Sequence, residues 1–222
     1  MKCLMKNAPR TPVFQLFALA GQEYEDVRYS FEEWAEHKDK TPFGHVPVLE
    51  VDGKQLCQSR AIARYLARQF GYAGKNAFDE AVADSIADQY ADFMAEARPF
   101  IRVSVGYEKG DAVAEVSKAN GRLEGYAPPV TQAMETLAKE VFLPACRKFL
   151  TLMTNFLKNN KSGFLVGDSL TWADLYLANF ADLLPKVPTL YDGFPEAKAH
   201  AEMVRAIPAL KKWIETRPKT DL

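Results

Sequence analysis

The residues whose types and spacing could do chemistry are concentrated in one stretch, 41–59. Asp52-Gly53 separates two short β-prone runs and favours a type I′ hairpin, because both turn positions then need positive φ. Pro47 stands at the start of the first strand, and an X-Pro bond is where the cis form costs least. Ser59 is predicted as the N-cap of a helix with apolar residues at helical spacing. Extended backbone beside open helix N–H groups would suit a small ligand with a carboxylate, such as a peptide.

Composition limits the kind of protein this can be. The chain has 222 residues, 48% of them hydrophobic, and a formal net charge of −1. That balance gives no electrostatic reason to expect a nucleic-acid or membrane partner, and no run is long and apolar enough for a membrane helix. A lysine interrupts the N-terminus before any apolar segment of signal-peptide length.

The spacing of the cysteines indicates the redox compartment of the protein. Cys3, Cys57 and Cys146 are widely spaced and form no CxxC pair, a pattern typical of free thiols in a reducing compartment. We therefore expect a cytoplasmic protein that holds no metal.

The elements that must position the 41–59 stretch alternate between strands and helices. Thr11-Pro12 has the residue types of an N-cap and first helical position, and Gly21 is suited to end that helix. The pattern predicts strand, helix, strand, short helix or loop, hairpin and helix, at 2–5, 12–20, 24–29, 31–40, 41–57 and 59–70. This βαβαββα order defines a first unit, residues 1–71.

Beyond the glycine-containing linker 72–76, only helices are predicted. Periodicity marks helices over 77–98, bent or ended by Pro99, over 134–160, kinked by Pro144, and over 209–216. Thr171 and Asp174 have capping-box spacing and predict one more helix start. Residues 77–222 are thus predicted to be all-helical, and the fold class is α+β.

Four segments in order carry a resemblance to a known family. They are Pro-Phe-Gly-His-Val-Pro-Val-Leu-Glu-Val-Asp-Gly at 42–53, Gln-Ser-Arg-Ala-Ile-Ala-Arg-Tyr-Leu-Ala at 58–67, Ser-Gly-Phe-Leu-Val-Gly-Asp-Ser-Leu-Thr-Trp-Ala-Asp-Leu at 162–175, and Pro-Ala-Leu-Lys-Lys-Trp-Ile at 208–214. On these segments the chain resembles a cytosolic glutathione S-transferase of the sigma type, in the form common in nematodes. The resemblance implies a thioredoxin-like N-terminal domain, a helical C-terminal domain and a homodimer. It also implies that glutathione is a substrate, attached to small electrophiles in detoxification.

The resemblance assigns a glutathione site and an electrophile pocket. The glutathione residues it implies are Trp34, Lys38, Gly44, His45, Val46, Pro47, Gln58, Ser59 and, from the partner subunit, Asp92; the pocket residues are Met94 and Phe100. Val46 would pair its backbone with the cysteinyl part of glutathione like an added strand. Gln58 and Ser59 would hold the γ-glutamyl carboxylate, and Trp34 and Lys38 the glycyl carboxylate.

Each assignment has a purely structural alternative. Ser59 could be only a helix N-cap, Trp34 ordinary core, and Lys38 a solvated charge. Asp92 lies among carboxylates on a polar helix face, and its role rests wholly on the resemblance. His45 stands where the family usually has Gln or Lys, at a position that acts largely through its backbone.

One departure concerns the sulfur chemistry. A free thiol has a pKa of about 8.5, and sigma-type enzymes favour the thiolate with a tyrosine hydroxyl that closes the first strand. Here the first tyrosine is Tyr24, beyond the first helix. Counting back from Pro12 places Cys3 at that position, or Met5 if two residues are deleted, and methionine cannot donate a hydrogen bond. A substitute hydroxyl or redox thiol could come from Thr11 or Cys3.

Three interpretations of this departure stay open. The N-terminus could belong to an alternative start of an otherwise ordinary transferase, the protein could bind glutathione or haem-like hydrophobic ligands without efficient catalysis, or a substitute residue could activate the sulfur. Prostaglandin isomerase activity, seen in some sigma-type enzymes, would need the same thiolate. A second departure is extra Gly-, Asn- and Pro-containing material at 113–131, which favours a surface insertion.

Overall fold

The first unit is a four-stranded mixed sheet with helices, and the predicted βαβαββα order is confirmed. In a computed structural model, residues 1–5, 12–104, 130–185 and 187–218 are described. The elements up to residue 70 are β1 Lys2–Met5, α1 Pro12–Ala20, β2 Glu25–Arg28, α2 Phe31–His37 with a 3-10 turn Lys38–Lys40, β3 Val48–Val51, β4 Lys54–Cys57 and α3 Ser59–Phe70. The strand order is β2-β1-β3-β4, with β1 parallel to β2 and antiparallel to β3. This is a thioredoxin-like arrangement.

Local sequence explains the turns of this unit. Asp52 and Gly53 have φ of 50° and 75°, so the type I′ hairpin between β3 and β4 is confirmed. Gly21 ends α1 at φ 61°, a left-handed conformation that glycine adopts without a Cβ penalty. Ser30 and Glu33 form a capping box that starts α2. Thr11, the predicted N-cap of α1, lies outside the described residues.

The second unit consists of helices in its described part. They are α4 Ala77–Glu96, α5 Arg98–Ser104, α6 Val130–Leu137, a π turn Ala138–Phe142, α7 Leu143–Asn159, α8 Trp172–Ala178, a 3-10 turn Asn179–Leu183, α9 Pro195–Arg205 and α10 Pro208–Thr216. The capping box of Thr171 and Asp174 at the start of α8 is confirmed. Most of the predicted insertion, 113–129, lies outside the described residues.

Two predicted helices need corrected bounds, and one helix was missed. The helix predicted over 134–160 begins at Val130 and is interrupted by the π turn just before Pro144, whose nitrogen cannot donate the i→i−4 hydrogen bond. The helix predicted over 77–98 ends at Glu96, and Pro99 lies in the first turn of α5, where proline is tolerated. Helix α9 was not predicted.

A ladder of ion pairs joins α3 to α4. Arginines four residues apart on α3 face carboxylates four residues apart on the antiparallel α4, in the pairs Arg60–Asp88, Arg64–Asp84 and Arg68–Glu80 at 3.0, 2.8 and 2.9 Å. Each pair is partly exposed and contributes at most about 1 kcal/mol. Their joint effect is to fix the N-terminal end of α3 beside the middle of α4.

The core runs across the segment between the two units. The Tyr72 carbonyl accepts a hydrogen bond from the Trp172 backbone N–H at 2.9 Å, and the Tyr72 hydroxyl donates to the Leu19 carbonyl at 3.2 Å. Buried side chains from α1, α3, α4, α7 and α8 form one continuous cluster. The division into residues 1–71 and 77–222, linked by 72–76, stays a prediction.

Cys3, Cys57 and Cys146 are all free, as the sequence predicted, and all three are buried. In the described ranges no helix is long and apolar enough to cross a membrane. Within those same ranges no three His, Cys, Asp or Glu side chains are grouped so that they could hold a metal ion.

Candidate functional site

The N-terminal end of α3 is entered through an unusual backbone turn. Strand β4 ends at buried Cys57, and Gln58 turns the chain with φ 74° and ψ 116°. Gln58 is therefore the N-cap and Ser59 the first helical residue, so the prediction of Ser59 as N-cap was wrong by one position. The reason is that the turn from strand to helix occupies Gln58. Among the described residues no side chain caps this helix end, which leaves donors of the kind that bind carboxylates.

Strained backbone at Gln58 points to a role in binding. A non-glycine residue at this φ is uncommon, and such outliers cost about 1–3 kcal/mol and cluster at ligand sites. The exposed side chain of Gln58 and the half-buried Ser59 flank the uncapped helix end.

The Val46-Pro47 peptide bond is cis, the form that costs least at an X-Pro pair. Val46 is half-buried and packs against a small cluster of Leu4, Val48 and Cys57. This cluster belongs to β1, β3 and β4 and is separate from the main core. The segment before Pro47 is thus held against the sheet on the side away from the main core.

The side chain of Lys38 lies close to the backbone of Gly44. Gly44 has φ 64°, and a Cβ built on it would lie 3.3 Å from Lys38 Cε. A side chain at position 44 would therefore be strained in its backbone and would push Lys38 aside. Glycine at this position allows the lysine to lie over the backbone that leads into His45 and Val46.

Trp34 is brought to the same region through Tyr29. The Tyr29 ring lies 5.9 Å from the Trp34 ring and stacks on His37 at 4.4 Å, measured between centroids. Tyr29 also packs against the cluster that contacts Val46. The sequence-predicted residues Trp34 and Val46 are thus linked through Tyr29 and the small cluster against which both Tyr29 and Val46 pack.

A cavity of about 580 Å³ begins at the N-terminal end of α3 and extends into the helical unit. Gln58 and Ser59 line it, as do Met94 and Phe100, so residues predicted for the two halves of the site border one cavity. Phe100 stacks on Phe142 at 4.3 Å between ring centroids. The volume lies in the range of small-molecule sites, and the wall is mainly apolar with few polar groups.

Two tyrosines in this wall are protonated at neutral pH. Burial is the main cause that raises the pKa of Tyr90 to about 12, and burial likewise raises the pKa of Tyr176 well above its ordinary value. Their rings lie 4.6 Å apart. Both can act only as neutral hydrogen-bonding groups at physiological pH.

Comparison with known proteins decides the family. Residues 6–68 match a family profile described as glutathione S-transferase, N-terminal domain, and residues 124–217 match glutathione S-transferase, C-terminal domain. Over 209 residues, 93% of this chain and 90% of the relative, the sequence is 50% identical to probable glutathione S-transferase 5 of Caenorhabditis elegans. The chain belongs to the glutathione S-transferase family.

Solved structures agree with this assignment. Monomeric Na-GST-3, a glutathione S-transferase of the hookworm Necator americanus, is 53% identical and superposes with a TM-score of 0.87, covering 100% of this chain and 98% of that one. A Nu-class enzyme from Haemonchus contortus is 52% identical with a TM-score of 0.81 and the same coverage. These likenesses show the transferase fold over the whole length and establish the chain as a member of a family of glutathione S-transferase enzymes.

The residues suggested for activating the glutathione sulfur are Cys3 and Thr11, and neither of them is found among the described residues that line the cavity. Cys3 lies in the main core, fully buried, and burial together with nearby Asp26 raises the pKa of its thiol to about 12. A thiol in that environment is neutral and inaccessible, so Cys3 is a core residue rather than a redox thiol. Met5 is the last residue of β1, and Thr11 lies outside the described residues.

Asp92 is exposed on α4 and has no ion-pair partner among the residues that the structure describes. It continues the series of carboxylates at 80, 84 and 88, whose members are occupied by α3. It does not line the cavity of its own chain.

Sequence reasoning missed several polar groups at the cavity. Gln15 and Asn179 exchange two side-chain hydrogen bonds of 2.8 and 3.2 Å. Asp182 pairs with Arg205 at 3.0 Å and with Arg217 at 2.9 Å. These partners are too far apart in the sequence for any local spacing to reveal them.

Proposed function

We propose that this chain is a sigma-type glutathione transferase that joins the sulfur of reduced glutathione to small apolar electrophiles, as in detoxification. The observation that carries the proposal is the continuity of the cavity. Gln58 and Ser59 at the uncapped N-terminus of α3 line the same cavity as the apolar Met94 and Phe100. A peptide carboxylate at the helix end would thus leave the sulfur facing an apolar space.

The remaining parts of glutathione match the rest of the surface. The backbone at Val46 would pair with the cysteinyl residue in the manner of an added strand. Lys38, supported over Gly44, and the indole N–H of Trp34 would hold the glycyl carboxylate. In this proposal His45 and Pro47 contribute through backbone shape.

Binding is tested by retention on immobilised glutathione and by calorimetric titration with free glutathione. We expect Ser59→Ala to weaken glutathione binding by about tenfold to a hundredfold, since hydrogen bonds to charged groups contribute about 1.5–3 kcal/mol. Ser85→Ala is the matched control, because Ser85 is exposed on α4 and donates to the Val82 carbonyl of its own helix. The proposal would be wrong if the folded protein were not retained on immobilised glutathione and gave no heat of binding with free glutathione.

A homodimer is part of the proposal. Exposed Asp92 has no ion-pair partner in the described part of this chain, and we propose that it reaches the γ-glutamyl ammonium bound by the partner subunit. Light scattering gives the mass, and glutathione titration of Asp92→Ala gives the contribution of the carboxylate. Because the Necator americanus relative is monomeric, a monomer whose affinity is unchanged by Asp92→Ala is the result that would exclude this part.

Passive binding is the second candidate, because β1 carries no hydroxyl. Residues 2–5 are Lys-Cys-Leu-Met, so no tyrosine closes that strand. Conjugation of 1-chloro-2,4-dinitrobenzene by wild type and Met5→Tyr separates the two candidates. A low wild-type rate that rises in Met5→Tyr, at unchanged glutathione affinity, supports a lost donor; a high wild-type rate excludes passive binding. Haem titration examines the hydrophobic-ligand form of this candidate.

Prostaglandin isomerase activity depends on the same thiolate and is assayed with the same pair of variants. We also propose a cytoplasmic location, supported by three cysteines that are all unpaired. Cell fractionation with a marker enzyme for each compartment checks it.

A further inference from the structure

Two hydroxyl groups in the cavity wall have no partner in the described part of the chain. They belong to Tyr90 and Tyr176, which both line the cavity, and neither makes a hydrogen bond with a described residue. The Tyr176 side chain is only 4% exposed, yet its oxygen still reaches the open space of the cavity. Since buried polar groups are nearly always hydrogen-bonded, we expect the partner of this hydroxyl to be a molecule in the cavity.

The other hydroxyl and amide groups that the helical unit contributes to the cavity are already engaged. Ser104 donates to a carbonyl of its own helix at 2.9 Å. Asn179 is paired with Gln15 by two side-chain hydrogen bonds. Among the described hydroxyl and amide groups of this part of the wall, the two tyrosine hydroxyls are therefore those left for a ligand.

Neighbouring charges distinguish the two tyrosines. Burial is the main cause that raises the pKa of both hydroxyls. Cys146 and the carboxylate of Asp182 raise the pKa of Tyr90 further. Two guanidinium groups of α3 act in the opposite direction on the pKa of Tyr176, and a single carboxylate opposes them. The surroundings of the Tyr176 hydroxyl thus suit an anion better than those of the Tyr90 hydroxyl.

The Tyr176 hydroxyl is also on the side of the cavity where glutathione is proposed to bind. One of the two guanidinium groups that act on it belongs to Arg60. Arg60 directly follows Ser59, and both line the cavity at the start of α3. In glutathione the cysteinyl residue comes next to the γ-glutamyl residue, so a carboxylate at this helix end leaves the sulfur nearby. The positive end of the α3 dipole favours a thiolate there.

We propose that the Tyr176 hydroxyl donates a hydrogen bond to the sulfur of bound glutathione, in place of the tyrosine that is missing from β1. The inference rests on the proposed function and names a catalytic residue for it. The thiol proton leaves to solvent, Tyr176 keeps its own proton, and the sulfur forms the bond to the electrophilic carbon. With 1-chloro-2,4-dinitrobenzene the carbon–chlorine bond then breaks, and chloride leaves with the electron pair.

The first test compares Tyr176→Phe with Tyr191→Phe in the full chain. Tyr191 is the matched control, because it is buried, its hydroxyl has no partner among the described residues, and it does not line the cavity. The ultraviolet absorbance of the glutathione thiolate is followed in the complex against pH. At about pH 6.5 we expect about tenfold less thiolate in Tyr176→Phe, the effect of one hydrogen bond to a charged group. Tyr191→Phe should match wild type.

The second test decides whether the hydroxyl touches the sulfur or the electrophile. 1-Chloro-2,4-dinitrobenzene has nitro oxygens that can accept a hydrogen bond, whereas benzyl chloride has no oxygen. At about pH 6.5, kcat/KM should fall about tenfold in Tyr176→Phe with both electrophiles. The loss should shrink towards about pH 8.5, where a thiol ionises without help.

A loss with 1-chloro-2,4-dinitrobenzene alone would overturn the inference, since it would place the hydroxyl at the electrophile. So would an unchanged thiolate signal in Tyr176→Phe, or an equal loss in Tyr191→Phe. A larger loss in Tyr90→Phe than in Tyr176→Phe would overturn the choice between the two tyrosines.

Retention on immobilised glutathione reports separately on the proposed function. A wild type that is retained but shows no thiolate near neutral pH would overturn this inference and leave glutathione binding intact. A folded wild type that is not retained would overturn both. Tyr176→Phe should be retained like wild type, because the proposed hydrogen bond is to the sulfur and not to either carboxylate.

Discussion

Gly44 offers the sharpest test of how the backbone supports the binding surface. Gly44→Ala places a Cβ at φ 64° and 3.3 Å from Lys38 Cε. The left-handed backbone costs an alanine about 1 kcal/mol. For a chain of this size that corresponds to a fall in Tm of about 2–4 °C. In addition, Lys38 must move by a few tenths of an ångström, and we expect this to disturb the contact that we propose it makes with the glycyl carboxylate of glutathione.

Gly21→Ala is a matched control for the backbone cost. Gly21 has nearly the same φ, 61°, but a Cβ there meets no atom within 4 Å. Both variants should therefore lose similar stability in thermal unfolding. Only Gly44→Ala should weaken glutathione binding, by about three- to fivefold, because Lys38 is exposed and an exposed ion pair of the kind proposed between it and glutathione contributes about 0.5–1 kcal/mol.

A double-mutant cycle identifies the cause of the loss. In a Lys38→Met background, Gly44→Ala should have no further effect on the dissociation constant measured by calorimetry. The reasoning is refuted if Gly44→Ala and Gly21→Ala bind glutathione equally well. It is also refuted if the effect of Gly44→Ala persists in full without the lysine.

Two further predictions concern stability. Asp174 is fully buried and accepts hydrogen bonds from the Leu165 and Thr171 backbone amides, and from the Thr171 hydroxyl, while it also pairs with His200 at 2.8 Å. Asp174→Ala should therefore cost more than about 3 kcal/mol in urea unfolding, whereas a variant of exposed Glu202 should change stability by less than about 0.5 kcal/mol; similar losses would contradict this. The second concerns alkaline pH: burial raises the pKa of Cys3 to about 12, so the folded state keeps its proton where the unfolded thiol, whose ordinary pKa is 9.0, loses it. Its contribution is constant below about pH 8 and decreases from about pH 9 towards 12, so urea midpoints at about pH 8 and pH 10.5 should differ in wild type and differ less in Cys3→Ala.

The thioredoxin-like unit was predictable because its signals are local. Asp52-Gly53 specifies a hairpin whatever surrounds it, and Pro47 limits the conformation of its neighbours. Met94 and Phe100 could be placed at the pocket only through the resemblance, since their helical spacing alone fits ordinary core. Local pattern and family pattern together were sufficient for the fold and for four of the residues that line the cavity, Gln58, Ser59, Met94 and Phe100.

The features that escaped prediction depend on tertiary contacts. Gln58 adopts φ 74° because a strand must turn directly into a helix there. Glutamine has no preference for positive φ, so its residue type does not predict this conformation. Helix α9, Pro195–Arg205, is the exception, because the proline at its start is a local signal that favours a helix.

Glutathione binding and sulfur activation depend on different kinds of atoms in this chain, and a pH–rate profile can separate them. Binding is proposed to use the turn at Gln58 and the backbone near Val46, which the fold holds in place whatever residue closes β1. Activation needs a donor that lowers the thiol pKa below its ordinary value of about 8.5. Without such a donor, the thiolate fraction, and with it kcat/KM for 1-chloro-2,4-dinitrobenzene, should rise about tenfold per pH unit from about pH 6.5 to 8. A donor elsewhere in the chain would instead flatten the profile near neutral pH. The range stays below the pH at which ionisation of Cys3 lowers stability, so a steep rise reports on the glutathione sulfur, and a plateau near neutral pH would contradict the lost-donor explanation.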